Sequence, residues 1–244
     1  MKVRKEKGAG YLTLLDPDRL DRGALVEHAI RCEAGGADAI LIGSSLLISN
    51  DFDEVVGQIK GEVSIPVILF PGGIGQISAR ADAIFFLSLI SGRNPEFLIG
   101  QQVKAAPILK RCGLEAISIG YILVESGRTT TVEYMSNTQP IPRDKPEITV
   151  AHALAAEYMG MKFVYLDAGS GAELSVPEEM IESVASSVSL PVSVGGGIRS
   201  PEMARRKVLA GGAFIVTGNV LEGTDDLSLL REFADAIHIK ASIT

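Results

Sequence analysis

The chain reads Phe163-Val164-Tyr165-Leu166-Asp167-Ala168-Gly169-Ser170-Gly171-Ala172 at the stretch that decides its fold. A short apolar run, of the length of a buried strand, ends in a carboxylate and a loop whose glycines let backbone amides approach a ligand. Two more apolar runs end in glycine clusters, Val194-Gly195-Gly196-Gly197-Ile198 and Val216-Thr217-Gly218-Asn219. Three strand ends that offer amides and one acid indicate a site for a small phosphorylated molecule.

Apolar runs of strand length alternate with helical patterns along the whole chain. Strands are predicted at 11–15, 39–42, 67–70, 83–87, 116–122, 163–167, 191–194 and 214–216. Helices are predicted at 23–35, 51–61, 96–112, 149–160, 177–188, 201–211 and 225–238. This alternation predicts an α/β protein with a parallel sheet, closed by its eight strands into a (β/α)8 TIM barrel formed by residues 1–244 as one domain. The alternative, an open doubly wound sheet, would normally carry a glycine fingerprint after its first strand, where this chain has Asp16-Pro17-Asp18.

Two connections depart from this alternation of strands and helices. Residues 71–82 are few and include Gly72, Gly73 and Gly75, so we expect an irregular segment in place of the third helix. The longest loop, 125–147, is rich in threonine and proline and is predicted to be non-helical. A loop of this length is either a functional lid or interface or a surface insertion without a role, and the sequence favours neither.

The composition is that of a protein with a large core and an acidic surface. Hydrophobic residues make up 46% of the chain, and the formal net charge is −7. The negative balance disfavours nonspecific nucleic-acid binding and attraction to an anionic membrane. Neither a signal-peptide pattern nor an apolar run of roughly 18 residues is visible, so no integral membrane segment is expected. Two isolated thiols, Cys32 and Cys112, are expected in the core and are consistent with a cytoplasmic protein.

The strand ends carry the candidate chemistry. Phosphate often binds at the loops after strands seven and eight of such barrels, where Gly196, Gly197, Gly218 and Asn219 fall. A single glycine loop would be explained more simply as a tight turn. Two glycine loops at these two strands favour a phosphate-binding site. Asp167 ends strand six and is suited to accept a proton from a substrate hydroxyl, although it could instead cap the following loop.

Tyr165 lies on the same face of its strand as Asp167, two residues before it. If that face points into the barrel, the phenol meets the same ligand as the carboxylate. A tyrosine that serves only for packing is the alternative.

Across the barrel, strand one ends at Asp16 and strand two at Ser45. One carboxylate and one hydroxyl suit Mg²⁺, which takes few protein oxygens and completes its shell with water and phosphates. Asp18 could be the ligand instead, with Asp16 capping a turn. The histidines are not expected to be ligands because all fall in predicted helices: His28, His152 and His238.

Strands three to five end in apolar residues, at 70–71, 85–90 and 121–124. A hydrophobic groove on that side would accommodate an alkyl or prenyl chain beside a Mg²⁺-bound diphosphate. Ordinary core packing is the alternative, because central parallel strands are apolar in any case.

A series of short motifs, in order along nearly the whole chain, matches one protein family. They are Leu14-Leu15-Asp16-Pro17-Asp18, Ile42-Gly43-Ser44-Ser45, Phe70-Pro71-Gly72, Ala81-Asp82-Ala83-Ile84-Phe85-Phe86-Leu87-Ser88-Leu89, Arg93-Asn94-Pro95, Ile99-Gly100-Gln101, Gly120-Tyr121-Ile122-Leu123 and the three strand ends quoted above. In these motifs the sequence resembles the geranylgeranylglyceryl phosphate synthases, prenyltransferases of archaeal ether-lipid synthesis, and their bacterial heptaprenylglyceryl relatives.

The resemblance implies a (β/α)8 barrel that lacks its third helix, working as a dimer or hexamer. It implies that the 3-hydroxyl of sn-glycerol 1-phosphate attacks C1 of geranylgeranyl diphosphate, with Asp167 and Asp16 as catalytic residues. Asp16 and Ser45 would place Mg²⁺ for the diphosphate. The residues implied to hold glycerol 1-phosphate are Tyr165, Leu166, Asp167, Ala168, Gly169, Ser170, Gly171, Gly196, Gly197, Gly218 and Asn219.

The chain departs from the family pattern at two positions. Asp167 stands where the family usually has Glu, which is one methylene longer, so the comparison predicts a water-mediated contact to the hydroxyl. Gly43-Ser44-Ser45 replaces Gly-Gly-Ser, which leaves open whether Ser44 or Ser45 faces the metal; alignment favours Ser45. A phosphosugar isomerase or lyase, a sister prenyltransferase of another chain length and a non-enzymatic phospholigand-binding barrel are the alternative functions.

Overall fold

Eight parallel strands close into a barrel in this computed structural model, which describes residues 2–218, 220 and 226–239. The strands are β1 Gly10–Leu15, β2 Ala39–Ile42, β3 Val67–Leu69, β4 Ala83–Leu89, β5 Glu115–Leu123, β6 Phe163–Asp167, β7 Val192–Gly195 and β8 Phe214–Thr217. Each strand pairs with the next one along the chain, and β8 pairs with β1 in parallel, with Ile215 opposite Tyr11. The predicted (β/α)8 TIM barrel is therefore confirmed.

Helices surround the barrel. They are α1 Lys2–Lys7, α2 Arg22–Ala34, α3 Phe52–Glu62, α4 Gln101–Cys112, α5 Thr131–Ser136, α6 Pro146–Tyr158, α7 Glu178–Ser187, α8 Pro201–Leu209 and α9 Leu227–Ile237. Between β3 and β4 the chain forms only a 3₁₀ turn, Ile74–Gln76, which confirms the irregular segment expected in place of the third helix. Within the described ranges, no helix is long and apolar enough to cross a membrane.

The core has two layers because neighbouring strand residues point to opposite sides of the sheet. Leu12, Leu41 and Tyr165 belong to a buried cluster built from strand residues, which fills the barrel. Their neighbours Tyr11 and Ile40 belong to the larger cluster, which joins the strands to the helices. Tyr165 points into the barrel, and Asp167 lies on the same face of β6 two residues later. Asp167 therefore lies at the carboxyl end of the barrel, where β6 ends.

The prediction that loop 125–147 is non-helical is wrong, because α5 lies within it and α6 begins at its end. Its helix-breaking residues flank these helices instead of interrupting them. Thr130 is the extended residue before α5, and Asn137 ends that helix in the left-handed conformation with φ of 50°. Pro146 opens α6, a position where its missing N–H costs nothing.

Two smaller predictions also need correction. Cys112 ends α4 as an exposed residue, whereas Cys32 is buried as expected. His238 lies just after α9, not inside it, and its Nε2 is 2.8 Å from Oδ2 of Asp38, which also accepts the backbone N–H of Tyr11 at 2.8 Å. This histidine therefore ties the last helix to the start of β1, away from the glycine loops.

Candidate active site

Two cavities open side by side at the carboxyl ends of the strands. We call the first the glycine cavity; it measures about 310 Å³, within the range of small-ligand pockets, and is lined by Leu14, Phe70, Tyr165, Asp167, Gly169, Ser170, Gly171, Ala172, Gly196, Gly197, Ile198, Arg199, Val216, Thr217, Gly218 and Val220. The second, the apolar groove, lies over β1 to β5. Asp167 and Ser170 line both, so the carboxylate stands where the two cavities meet.

Asp167 is a buried carboxylate held by two donors. The backbone N–H of Gly169 donates to Oδ1 at 2.9 Å, and the hydroxyl of Tyr121 donates to Oδ2. Burial raises the pKa of Asp167 above its usual range, and the two hydrogen bonds offset this only in part. A fixed carboxylate with a raised pKa is a stronger base than an exposed aspartate, which suits it to take a proton from a hydroxyl.

Tyr121 and Tyr165 form the wall beneath this carboxylate. Their rings stack with centroids 5.5 Å apart and planes at 25°. Burial and the negative charge of Asp167 raise the pKa of both phenols well above the ordinary value, so both stay neutral. Tyr165 points into the barrel and lines the glycine cavity; its contact with a ligand stays a prediction.

The role of Tyr121 was missed from the sequence, where it was read as part of the apolar groove. A signal was present, because β5 and β6 are neighbours in a barrel and must be in register. Tyr121 lies opposite Tyr165, and Leu123 opposite Asp167. Tyr121 therefore shares the inward face with both residues of β6 and lies close enough to reach the carboxylate.

Gly196 brings the loop after β7 into direct contact with the end of β6. Its φ is 80°, in the left-handed region that favours glycine. A Cβ at this position would lie 2.6 Å from the backbone nitrogen of Gly169 and 2.8 Å from Oδ1 of Asp167. Only glycine lets the two loops close around the cavity.

Arg199 adds a positive charge to the glycine cavity. Its Nη2 donates to the backbone oxygen of Ala172 at 2.9 Å, so it also joins the loops after β6 and β7. A guanidinium beside the backbone amides of the glycine loops supplies the positive charge that favours binding of a phosphate dianion. Arg199 was not predicted from the sequence, although a cation two residues after Gly197 is a readable signal.

Asp16 and the loop after β2 form a polar cluster at the far side of the apolar groove. The hydroxyl of Ser44 donates to Oδ2 of Asp16 at 3.1 Å, and Nε of Arg19 lies 3.8 Å from the same oxygen. Burial raises the pKa of Asp16, although these neighbours partly offset it. Ser45 also lines the groove, but it is Ser44 whose hydroxyl meets the carboxylate.

Asp18 has a different task. Its two carboxylate oxygens accept the backbone N–H groups of Ile48 and Ser49, at 2.7 and 2.9 Å. Burial alone would raise its pKa, but these hydrogen bonds outweigh burial and the pKa is lowered. Asp18 thus fixes the loop after β2, while Asp16 faces the groove.

The residues around Asp16 fit a Mg²⁺ ion that is held chiefly by its ligand. Asp16 offers a carboxylate, and Ser44 and Ser45 offer hydroxyls on the same wall of the groove. Over the part of the chain that is described, no three His, Cys, Asp or Glu side chains cluster into an all-protein metal cage. Such a sparse donor set is typical of magnesium that bridges to phosphate oxygens.

The rest of the apolar groove is hydrophobic, as the ends of strands three to five suggested. Phe85, Leu87 and Leu89 of β4 line it together with Phe70 and Tyr121. Two helices that the sequence did not assign to the groove complete it: Ala105 belongs to α4, and Thr131, Val132, Met135 and Ser136 belong to α5. The sequence left open whether loop 125–147 has a function. In the structure this loop, through α5, forms part of the wall of the apolar groove.

The other predicted ligand residues divide into three groups. Tyr165, Gly169, Ser170, Gly171, Gly196, Gly197 and Gly218 line the glycine cavity. Leu166 and Ala168 instead pack their side chains into the layer between barrel and helices, so they can serve a ligand only through their backbone. Asn219 lies outside the described residues.

Known proteins match this chain over nearly its whole length. The model of the PcrB family matches residues 1–237. Geranylgeranylglyceryl phosphate synthase of Chitinophaga pinensis is 49% identical over 241 residues, covering 98% of this chain and 95% of that protein. The protein of the same name from Korarchaeum cryptofilum is 43% identical, covering 97% of each chain.

A solved structure is also similar. The crystal structure of (S)-3-O-geranylgeranylglyceryl phosphate synthase from Thermoplasma acidophilum, in complex with its substrate sn-glycerol-1-phosphate, superposes with a TM-score of 0.91 at 35% identity. The match covers 97% of each chain. With nearly its whole length matched by the family model and by these relatives, this chain belongs to the PcrB family.

Proposed function

We propose that this protein is a Mg²⁺-dependent geranylgeranylglyceryl phosphate synthase. It joins sn-glycerol 1-phosphate to geranylgeranyl diphosphate, giving 3-O-(geranylgeranyl)glyceryl 1-phosphate and diphosphate, the first ether bond of archaeal membrane lipids. The names of its relatives, and the glycerol phosphate bound by the Thermoplasma acidophilum protein, support this proposal. Its family resemblance further supports a homo-oligomer, either a dimer or a hexamer.

The observation that carries the proposal is the position of Asp167 at the junction of the two cavities. A transferase that joins a phosphorylated acceptor to a prenyl donor needs one cavity for each and a base between them. The glycine cavity offers glycine loops and Arg199, and the apolar groove offers a hydrophobic channel that ends near Asp16. An isomerase or lyase of phosphosugars would have no use for this channel.

The chain's own residues then act on the acceptor as follows. The glycine loops and Arg199 hold the phosphate, which fixes the distance from the phosphate to the 3-hydroxyl. Asp167 accepts the hydroxyl proton, directly or through one water, while the oxygen forms its bond to C1 of the donor. The C1–oxygen bond to diphosphate breaks with its electron pair, and diphosphate departs toward Asp16.

At the donor end, Asp16, Ser44 and Ser45 would hold the metal, and Arg19 lies beside them. The chemistry that bound Mg²⁺ supplies is neutralisation of the charge that develops on the departing diphosphate. The aromatic floor formed by Phe70, Phe85 and Tyr121 keeps water away from the carbon under attack.

An activity assay tests this function. We expect the purified protein to convert sn-glycerol 1-phosphate and labelled geranylgeranyl diphosphate into a labelled ether in the presence of Mg²⁺. A ladder of prenyl diphosphates measures the chain length that the groove accepts, and chelation with EDTA should reduce the rate at least about a hundredfold, since the leaving charge is then not neutralised. Absence of an ether product from every donor in the ladder would contradict the proposal.

Tyr121→Phe should move the acid limb of the kcat/KM profile to higher pH. The hydrogen bond from Tyr121 lowers the pKa of Asp167, whose net shift is upward because burial dominates. Removing this hydrogen bond raises the pKa of Asp167 further. Because the ionised carboxylate is the active form, the variant should lose activity at a higher pH than the wild type when the solution is acidified. Tyr158→Phe, at an exposed residue of α6, is the control and should leave the profile in place. A profile of Tyr121→Phe that overlies the wild-type curve would contradict the proposed base.

A further inference from the structure

We infer that Gln76, in the segment that replaces the third helix, is a positioning residue for the diphosphate end of the site. The residue is only 4% exposed, and its side chain forms two hydrogen bonds with a single residue of the loop after β2. The backbone N–H of Ser44 donates to Oε1 at 3.0 Å, and Nε2 donates to the backbone oxygen of Ser44 at 2.7 Å. We call this pair of bonds the amide clamp. The inference rests on the proposed function, because it assigns the diphosphate to this end of the groove.

The amide clamp fixes a residue that faces the candidate metal site. The hydroxyl oxygen of Ser44 lies 3.1 Å from Oδ2 of Asp16 and 3.0 Å from the backbone oxygen of Leu46, so its one hydrogen can be donated to either acceptor. Hydrogen bonds at its N–H and its C=O fix the backbone of Ser44, and with it the Cβ position from which the hydroxyl reaches the carboxylate. Gln76 therefore acts through Ser44 on the orientation of Asp16, without touching the ligand itself.

The backbone around the clamp is built for this contact. A Cβ on Gly72 would lie 2.3 Å from the backbone oxygen of Ser44, so the segment after β3 presses directly on the loop after β2. The backbone N–H of Ile74 in turn donates to Oε1 of Gln101 in α4, at 3.1 Å. A regular helix after β3 would carry the chain to the outside of the barrel. The short 3₁₀ turn instead keeps Gln76 over the neighbouring loop, which gives a physical reason for the missing helix.

The same segment lines the apolar groove with Gly73, Ile74 and Ile77. This one segment thus contributes to the wall of the apolar groove and, through Gln76, contacts the loop that carries the polar cluster at the end of the groove. This arrangement keeps the diphosphate and the first carbons of the chain in a fixed relation to each other, which the transfer at C1 requires.

Gln76→Met tests the clamp, because methionine nearly preserves the shape of glutamine and removes both hydrogen bonds. The probe is geranylgeranyl thiodiphosphate, an unreactive donor in which sulfur replaces the bridging oxygen, titrated with Mg²⁺ by calorimetry. We expect its dissociation constant to rise about tenfold or more, as for other residues that orient a metal ligand, and that of sn-glycerol 1-phosphate to change less than about twofold. Gln58→Met, on the exposed face of α3, should change neither constant.

A double-mutant cycle separates positioning from general loosening. If Gln76 acts through the hydroxyl of Ser44, Gln76→Met should have little effect on donor binding in a Ser44→Ala background. Equal effects in both backgrounds, or parallel losses for the two ligands, would overturn the inference. If the methionine variant does not fold, Gln76→Leu, a second apolar side chain, removes the same two hydrogen bonds, and we expect the same rise in the constant. Failure of the wild-type protein to bind the probe would overturn the proposed function itself.

Discussion

Asp167→Asn should lower kcat of the prenyl transfer by a factor of roughly 10² to 10⁴, the usual contribution of a positioned general base. The amide is nearly isosteric with the carboxylate, and its oxygen still accepts the N–H of Gly169. Because the variant keeps the shape of the cavity and loses only the basic group, the KM values for both substrates should change little. Steady-state kinetics with each substrate varied in turn measures both effects.

Thermal unfolding tests whether Asp167→Asn loses activity because the protein is less stable. Burial raises the pKa of Asp167, which means that its ionised form is disfavoured in the folded protein relative to the unfolded chain. At neutral pH the charge therefore destabilises the fold, and Asp167→Asn should unfold at the wild-type temperature or above it. Asp167→Glu, the residue usual in the family, should retain turnover within about tenfold, as expected of a kept base. An asparagine variant with more than a tenth of wild-type kcat would show that the hydroxyl needs no base here.

The architecture was readable from the sequence because apolar runs and helical patterns alternate along most of this chain. The irregular connection after β3 was also predictable, since three glycines in so short a span leave no room for a crossover helix. Helix α5 was not, because residues that break helices also flank them. Thr130 and Asn137 stand at the two ends of this helix, and a pattern of composition does not distinguish an end from an interruption.

The site was predictable where chemistry is tied to strand ends, and it was not where two strands or loops must be brought into contact. Asp167 and the glycine loops follow from position alone. The contact of Tyr121 with Asp167 depends on strand register, and that of Ser44 with Asp16 depends on how a neighbouring segment folds over the loop. Alignment with the family pattern favoured Ser45 as the residue that faces the metal, and this stays a prediction. In the structure it is the hydroxyl of Ser44 that contacts Asp16.

Gly196→Ala should lower the unfolding temperature and weaken binding of sn-glycerol 1-phosphate by about fivefold or more, the factor that corresponds to roughly 1 kcal/mol of lost contacts. Alanine in the left-handed region costs roughly 1–2 kcal/mol, and the new methyl would contact the nitrogen of Gly169 and the carboxylate of Asp167 at less than 3 Å. Relief of this clash must move the loop after β6, which we expect to cost about 1 kcal/mol more in lost phosphate contacts. Calorimetric titration with sn-glycerol 1-phosphate measures the change.

Gly160→Ala is the matched control, because Gly160 has nearly the same conformation, with φ of 74°, and no atom lies within 4 Å of its Cβ position. It bears the same backbone strain outside both cavities. We therefore expect Gly160→Ala to lower the unfolding temperature and to leave the dissociation constant unchanged, whereas Gly196→Ala should change both. If the two variants lose stability alike and bind glycerol phosphate alike, closure of the loop after β7 against Asp167 is not what builds the acceptor site.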